Sequence, residues 1–303
     1  MLGRVAGQLL SHTNTAEAPW VIVEARDARY RNLTVARTLL EKLRQRLDRP
    51  SEPAFRKPEV DLKPASVNVL NRLDLSKKLD EPEYEKKLLK YQGKLARLSR
   101  RLYDERRSLI LVFEGPDAAG KGGAIRRLTA AMDARDYRVI SVAAPTDEER
   151  AHPYLWRFWR HLPRRGRLTI YDRSWYGRVL VERVEGFATP EEWQRAYAEI
   201  NAFEEQLTEF GTIVLKFWLA LSPEEQLRRF REREETPYKQ YKLTEEDWRN
   251  RDRWDSYEAA ACDMIEKTST EAAPWTLVEA NNKEWARVKV LSTVTRHLGK
   301  ALD

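Results

Sequence analysis

Cysteine occurs once in this 303-residue sequence, at Cys262, so no internal disulfide can form and a reducing, cytoplasmic setting is the natural expectation. The four histidines (His12, His152, His161, His297) show no metal-ligand spacing, which argues against a zinc centre. No apolar run approaches the roughly 18 residues of a membrane span. The opening ten residues are too quickly polar for a signal peptide. What the sequence does carry is charge. Charged residues make up 34% of it beside 42% hydrophobic, the balance of a globular chain rather than a disordered one. A net charge of +7 suggests a polyanionic partner, whether nucleic acid, membrane surface or phosphate polymer. A merely basic solvated surface would give the same total.

The segment Glu114-Gly-Pro-Asp-Ala-Ala-Gly-Lys-Gly-Gly123 locates an anion site. It follows an apolar run, residues 108–113, that reads as a buried strand, and precedes a helical pattern over 124–132. A strand, a glycine-rich turn and a helix N-terminus together form a phosphate cradle, with backbone N–H groups and the helix dipole turned toward the anion. Gly115, Ala118, Ala119, Gly120, Gly122 and Gly123 are the cradle positions, and Lys121 is the cation within it. One position departs from the usual pattern. A general phosphate loop follows its lysine with Ser or Thr, whose hydroxyl holds Mg²⁺, whereas this chain has Gly122. Another group must hold the metal.

An apolar strand ending in a carboxylate, Leu168-Thr-Ile-Tyr-Asp172, lies one strand–helix–strand unit further on. A carboxylate so placed sits beside the phosphates, so Asp172 and the loop's own Asp117 are the candidate ligands for Mg²⁺, with Mn²⁺ as a substitute. Arg173 and Arg178 follow at once. A guanidinium fork suits phosphate oxygens, on either the acceptor or the transferring group. Tyr171, Trp175 and Tyr176 read as packing residues. Thr146 and Asp147, after the strand expected at 137–142, form a candidate acceptor loop.

Nine cations crowd between Arg228 and Arg253. This stretch, within residues 224–267, is where a helical lid would close over phosphates. Arg228, Arg231, Lys239, Lys242, Arg249 and Arg253 are the candidates to face a polymer, although interleaved carboxylates must pair some of the cations locally. The remaining alternation of strands (137–142, 168–171, 212–219, and one at Trp275) with helices argues an α/β fold: a parallel sheet with helices on both faces.

The two ends of the chain repeat each other. Residues 13–25 align without gaps to 268–280, with eight of thirteen positions identical, and both copies run on into helical patterns, 30–47 and 285–298. Each reads as a last strand followed by a closing helix. Residues 1–48 are therefore expected to be the tail of a duplicated preceding domain, 49–65 a proline-marked linker, and 66–303 the phosphate-binding domain. A charged amphipathic helix over 82–107 would lead into the first strand.

The loop at 114–123, the segment Asp172-Arg-Ser-Trp-Tyr-Gly-Arg178, and Pro237-Tyr-Lys-Gln-Tyr-Lys242 with Trp254-Asp-Ser-Tyr257 together resemble the polyphosphate kinase 2 family over residues 66–303. The resemblance implies a P-loop kinase fold and Mg²⁺-dependent phosphoryl exchange between inorganic polyphosphate and an adenine nucleotide. It implies functional roles for Asp117, Lys121, Asp172, Arg173 and Arg178, and a homo-oligomer, with no membrane and no specific nucleic acid as partner. The terminal repeat resembles the tandem branch associated with AMP as acceptor. Such a transfer needs positioning and charge neutralisation more than a base, so the lack of a candidate catalytic histidine is expected. An ATP-dependent nucleoside monophosphate kinase and a non-catalytic polyanion-binding module remain alternatives.

Overall fold

The computed structural model describes residues 2–16, 18–48 and 68–303, with the side chains of Leu2, Lys239 and Lys242 left aside. The expected linker, 49–65, lies outside the described residues. The chain divides into two compact units, Met1–Arg56 and Lys57–Asp303.

The first unit contains helices α1 (Leu2–Thr13) and α2 (Ala28–Leu47). Asp27 caps α2 by accepting from the backbone N–H groups of Arg29 (2.8 Å) and Tyr30 (2.9 Å). The strand expected at the first copy of the repeat is absent: residues 19–25 are irregular, and Trp20, Val21 and Ile22 are exposed. The reason is a missing neighbour. A strand's N–H and C=O groups need a ladder partner, and the described residues of this unit supply none.

Among the described residues the second unit is built on five parallel strands: β1 (Ser108–Glu114), β2 (Tyr137–Ser141), β3 (Leu168–Asp172), β4 (Thr212–Ala220) and β5 (Trp275–Glu279), in the spatial order β2-β3-β1-β4-β5. Alternation along β1 divides the core in two. Leu109, Leu111 and Phe113 face α3 (Glu81–Asp104), α4 (Lys121–Thr129) and α12 (Lys283–Leu302). Ile110 and Val112 face the aromatic cluster of Tyr171, Trp175, Tyr176 and Phe203, on the side of α7 (Val181–Val184), α8 (Pro190–Glu209) and α11 (Trp254–Thr268). The short helices α5 (Asp147–Arg150) and α6 (Trp156–Trp159) follow β2, while α9 (Pro223–Glu235) and α10 (Glu245–Asp252) follow β4.

Here the second copy of the repeat does form its strand, because Trp275–Glu279 pairs with Lys216–Ala220 of β4. The helix after it buries Val288, Val290, Val294, Leu298 and Leu302. The equivalent positions of α2 are Leu33, Val35, Leu39, Leu43 and Leu47, all exposed.

Candidate active site

Two neighbouring strands, β1 and β3, place the functional groups. Pairing of β1 with β3 sets Phe113 opposite Asp172, so the carboxylate of Asp172 emerges beside the loop that leaves β1. Ligands on such sheets bind beyond the carboxyl ends of the strands, where both segments lie.

The loop's backbone is forced into conformations that few residues accept. Gly115 has φ +142°, and a Cβ there would lie 2.6 Å from the Leu219 carbonyl oxygen of β4. We expect Gly115→Ala to cost more than about 2 kcal/mol, because backbone strain adds to a clash with an immovable carbonyl. Chemical denaturation measures this; a loss within 0.5 kcal/mol, the range of ordinary surface changes, would contradict it. Gly120 has φ +102° and forms the N-cap of α4, while Ala118 holds φ +62° with a side chain. Lys121 Nζ folds back to donate to the carbonyls of Gly115 (2.6 Å) and Pro116 (3.2 Å). Burial, followed by the nearby Arg173, draws its pKa below the ordinary lysine value, although Asp117, Asp172 and Glu114 oppose this.

Asp117 and Asp172 both reach the loop. Asp172 Oδ2 would lie 4.0 Å from a Cβ on Gly122, so its carboxylate borders the position that a hydroxyl side chain would occupy in the usual loop. Asp117 Oδ1 accepts from Arg173 Nη2 (2.6 Å) and Oδ2 from Asn250 Nδ2 (3.0 Å). Burial pushes the pKa of Asp117 up, but Lys121, Arg173 and these hydrogen bonds outweigh it, and the net direction is down. Two carboxylates with hard-oxygen donors beside a phosphate cradle fit Mg²⁺, an ion that prefers oxygen ligands. Among the described residues no group of three or more His, Cys, Asp or Glu side chains could hold a metal.

Arg173 sits at the end of β3 with φ +63°, its N–H donating to Phe113 (3.0 Å). Strain of this kind collects at functional sites. Glu114, invisible as a site residue in the sequence, is buried and accepts from Ser174 Oγ (2.8 Å). Burial raises its pKa, with the Ser174 bond opposing. Tyr171, Trp175 and Tyr176 are fully buried, as packing residues should be.

The other assigned residues make contacts of their own. Arg178 stacks 4.5 Å above the Tyr154 ring and pairs with Glu182 (3.0 Å) and Glu192 (3.6 Å). Thr146 is the N-cap of α5 in a capping box with Glu149, and Asp147 pairs with Arg150 (3.1 Å). Their local roles are thus structural as well as positional. In the helical region, Arg228 pairs with Glu225 (2.6 Å), whereas Arg249 and Arg253 both approach Glu185 (3.3 and 3.4 Å), and Arg231 is exposed. The side chains of Lys239 and Lys242 lie outside the described residues. A cavity of about 290 Å³ opens between these helices and the loop, with Trp218, Leu180 and Trp254 on its walls and Asp117 and Arg173 at its rim.

Sequence reasoning missed the groups that hold the loop from beneath. Gln226 Nε2 donates to the Asp117 carbonyl (3.0 Å). Arg229, buried and paired with Glu225, donates to the Ala118 carbonyl (2.8 Å). The only available signal was the burial that a helix carrying Gln226, Arg229 and Phe230 on one face would imply.

Comparison with known proteins places this geometry. The family model described as polyphosphate kinase 2 matches residues 2–50 and 78–302. The chain is 57% identical over 290 residues to the polyphosphate:AMP phosphotransferase of Pseudomonas aeruginosa, covering 95% of this chain and 58% of that protein. It is 54% identical over 303 residues to the protein of the same name from Pseudomonas syringae pv. tomato, covering 98% and 60%. A crystal structure from Pseudomonas aeruginosa assigned to polyphosphate kinase 2 superposes with a TM-score of 0.89 at 55% identity, covering 98% of this chain and 62% of the other. The chain thus spans about three fifths of the length of these relatives.

Proposed function

This chain belongs to the polyphosphate kinase 2 family, and from that premise we propose that it transfers a phosphoryl group from inorganic polyphosphate to a nucleotide, with AMP as acceptor and ADP as product. The observation that carries the reading is the phosphate cradle in which Lys121, Asp117, Asp172 and Arg173 converge at the carboxyl ends of β1 and β3. The AMP acceptor rests on the two relatives above, each named polyphosphate:AMP phosphotransferase.

In this reading the loop's N–H groups and Lys121 hold the transferring end of the polymer, and Arg173 meets charge that develops during transfer. The acceptor phosphate oxygen is already ionised near neutral pH, so the chain's residues need only align it. A Mg²⁺ or Mn²⁺ ion would be held by Asp117 and Asp172 together with phosphate oxygens, and would supply charge neutralisation. The apolar cavity beside Asp117 offers room to exclude water. Residues 1–48 would be the tail of a duplicated domain, whose sequence from residue 13 onward repeats the closing segment without forming its strand, a reading supported by the match of α2's apolar positions to the buried face of α12. A homo-oligomer in a cytoplasmic setting belongs to the same proposal. No helix among the described residues is long and apolar enough to cross a membrane.

Polyphosphate and AMP, with Mg²⁺ and no ATP, should yield ADP in a coupled assay, with ADP and GDP slower as acceptors. Failure to form ADP would reject the reading, and ADP formation only when ATP is supplied would support a nucleoside monophosphate kinase instead.

A further inference from the structure

Four residues on and beyond α10 connect Asp117 of the phosphate loop to the buried carboxylate of Glu185. Asn250 donates to Asp117 Oδ2 (3.0 Å), and its carbonyl oxygen accepts from the Tyr257 hydroxyl (3.0 Å). The same hydroxyl lies 3.5 Å from Glu185 Oε1. Glu185 is 4% exposed and receives the guanidinium groups of Arg249 (3.3 Å) and Arg253 (3.4 Å), one residue before and three residues after Asn250 in the chain. Both ends of the Asn250 amide are therefore engaged, one by the phosphate loop and one by Tyr257. The helix that carries it is seated by two ion pairs to one buried carboxylate.

We propose that Asn250 is a positioning residue for Asp117, and that seating of residues 245–253 on Glu185 sets the orientation of that carboxylate for phosphoryl transfer. An Asp117 side chain held by Arg173 alone, at one oxygen, could rotate about its terminal torsion, which is broad for a carboxylate. The Asn250 amide occupies the second oxygen and removes that freedom. Because Asn250 belongs to α10 and Tyr257 to α11, the orientation of the loop's carboxylate depends on how these helices are seated. Arg249 and Arg253, candidates for polymer contact on sequence grounds, then serve this seating through Glu185. The inference rests on the transferase reading for its consequence and on geometry for its contacts, so the two are tested separately.

Turnover with polyphosphate and AMP would be compared for wild type, Asn250→Leu, Glu185→Gln and the double variant. Asn250→Leu should lower kcat by about tenfold while the KM for polyphosphate stays within about twofold, the pattern of a lost orientation rather than lost binding. Glu185→Gln should lower kcat in the same manner, and the double variant should be no worse than Asn250→Leu, because the two act through one path. A kcat within twofold of wild type for Asn250→Leu, or multiplicative losses in the double variant, would overturn the proposal. Hydrogen exchange needs no turnover. Asp117→Ala should raise amide exchange across residues 245–253 by about tenfold, as loss of a charge-assisted hydrogen bond implies. Unchanged exchange would overturn the proposal even if the chain proved inactive with polyphosphate.

Discussion

Lys121→Met is expected to reduce phosphoryl transfer by about 10²–10³-fold, the scale on which a single preorganised charge at a transition state is lost. The side chain is unusual in being held by its own loop: its ammonium donates to the Gly115 and Pro116 carbonyls at 2.6 and 3.2 Å. It is therefore already oriented before a phosphate arrives, and little rotamer entropy remains to be lost on binding. Asp117, Asp172 and Glu114 oppose the burial and the nearby Arg173 that draw its pKa down. Methionine preserves the stem and removes the charge. Steady-state kinetics with polyphosphate and AMP would show the loss in kcat, with circular dichroism confirming that the fold is retained. A kcat within tenfold of wild type would mean that the lysine does not contact the transferring group.

Lys216→Met should give the largest loss of stability, about 3–5 kcal/mol at neutral pH, because it leaves a buried carboxylate without its counter-charge. Lys216 lies in the middle of β4 and is fully buried; its ammonium donates to Glu204 Oε2 (2.7 Å), the Tyr176 hydroxyl (2.8 Å) and the Thr268 carbonyl (2.7 Å). The other oxygen of Glu204 accepts from Trp175 Nε1 (3.0 Å) and the Tyr176 hydroxyl (2.7 Å). Burial pushes the pKa of Glu204 up and that of Lys216 down, and their mutual attraction works against both shifts. Without the lysine, only burial and neutral donors act on Glu204, so its folded-state pKa rises further above the unfolded value. A carboxyl whose folded-state pKa is raised contributes stability below its unfolded pKa and loses it as pH rises through the folded value. Urea unfolding of Lys216→Met should therefore show a smaller deficit near pH 5 than at neutral pH. A deficit that does not shrink on acidification would contradict the assignment. Replacing both partners by apolar residues of similar volume should cost less than removing either alone. Trp175 and Tyr176 directly follow Arg173 and Ser174, so this buried pair also anchors the segment that delivers Arg173 to Asp117.

Much of the site was legible because its signals are local. The apolar run Ser108–Glu114, the glycines after it and Lys121 lie within a few residues of one another, and the backbone they require follows from their identities. Asp172 was legible for a similar reason, at the end of an apolar strand. Asn250 was not. It lies 133 residues from Asp117, and no property of a charged helical stretch singles out its one amide. Lys216 was visible as a charge inside an apolar strand, but its partner Glu204 sits on α8 among other glutamates, and only packing selects it.

The repeat shows the division most directly. Eight of thirteen residues are shared between 13–25 and 268–280, yet among the described residues only the second copy contains a strand, β5. Sequence alone determined the alternating apolar pattern, the helix that follows each copy and the phosphate-binding loop, because these depend on side-chain periodicity and on glycine's backbone freedom. Only the tertiary structure decided which copy forms a strand, which cations turn inward to Glu185, and which distant amide holds Asp117. Each of those outcomes requires a hydrogen-bonding or charged partner that is distant in sequence and near only in the folded chain.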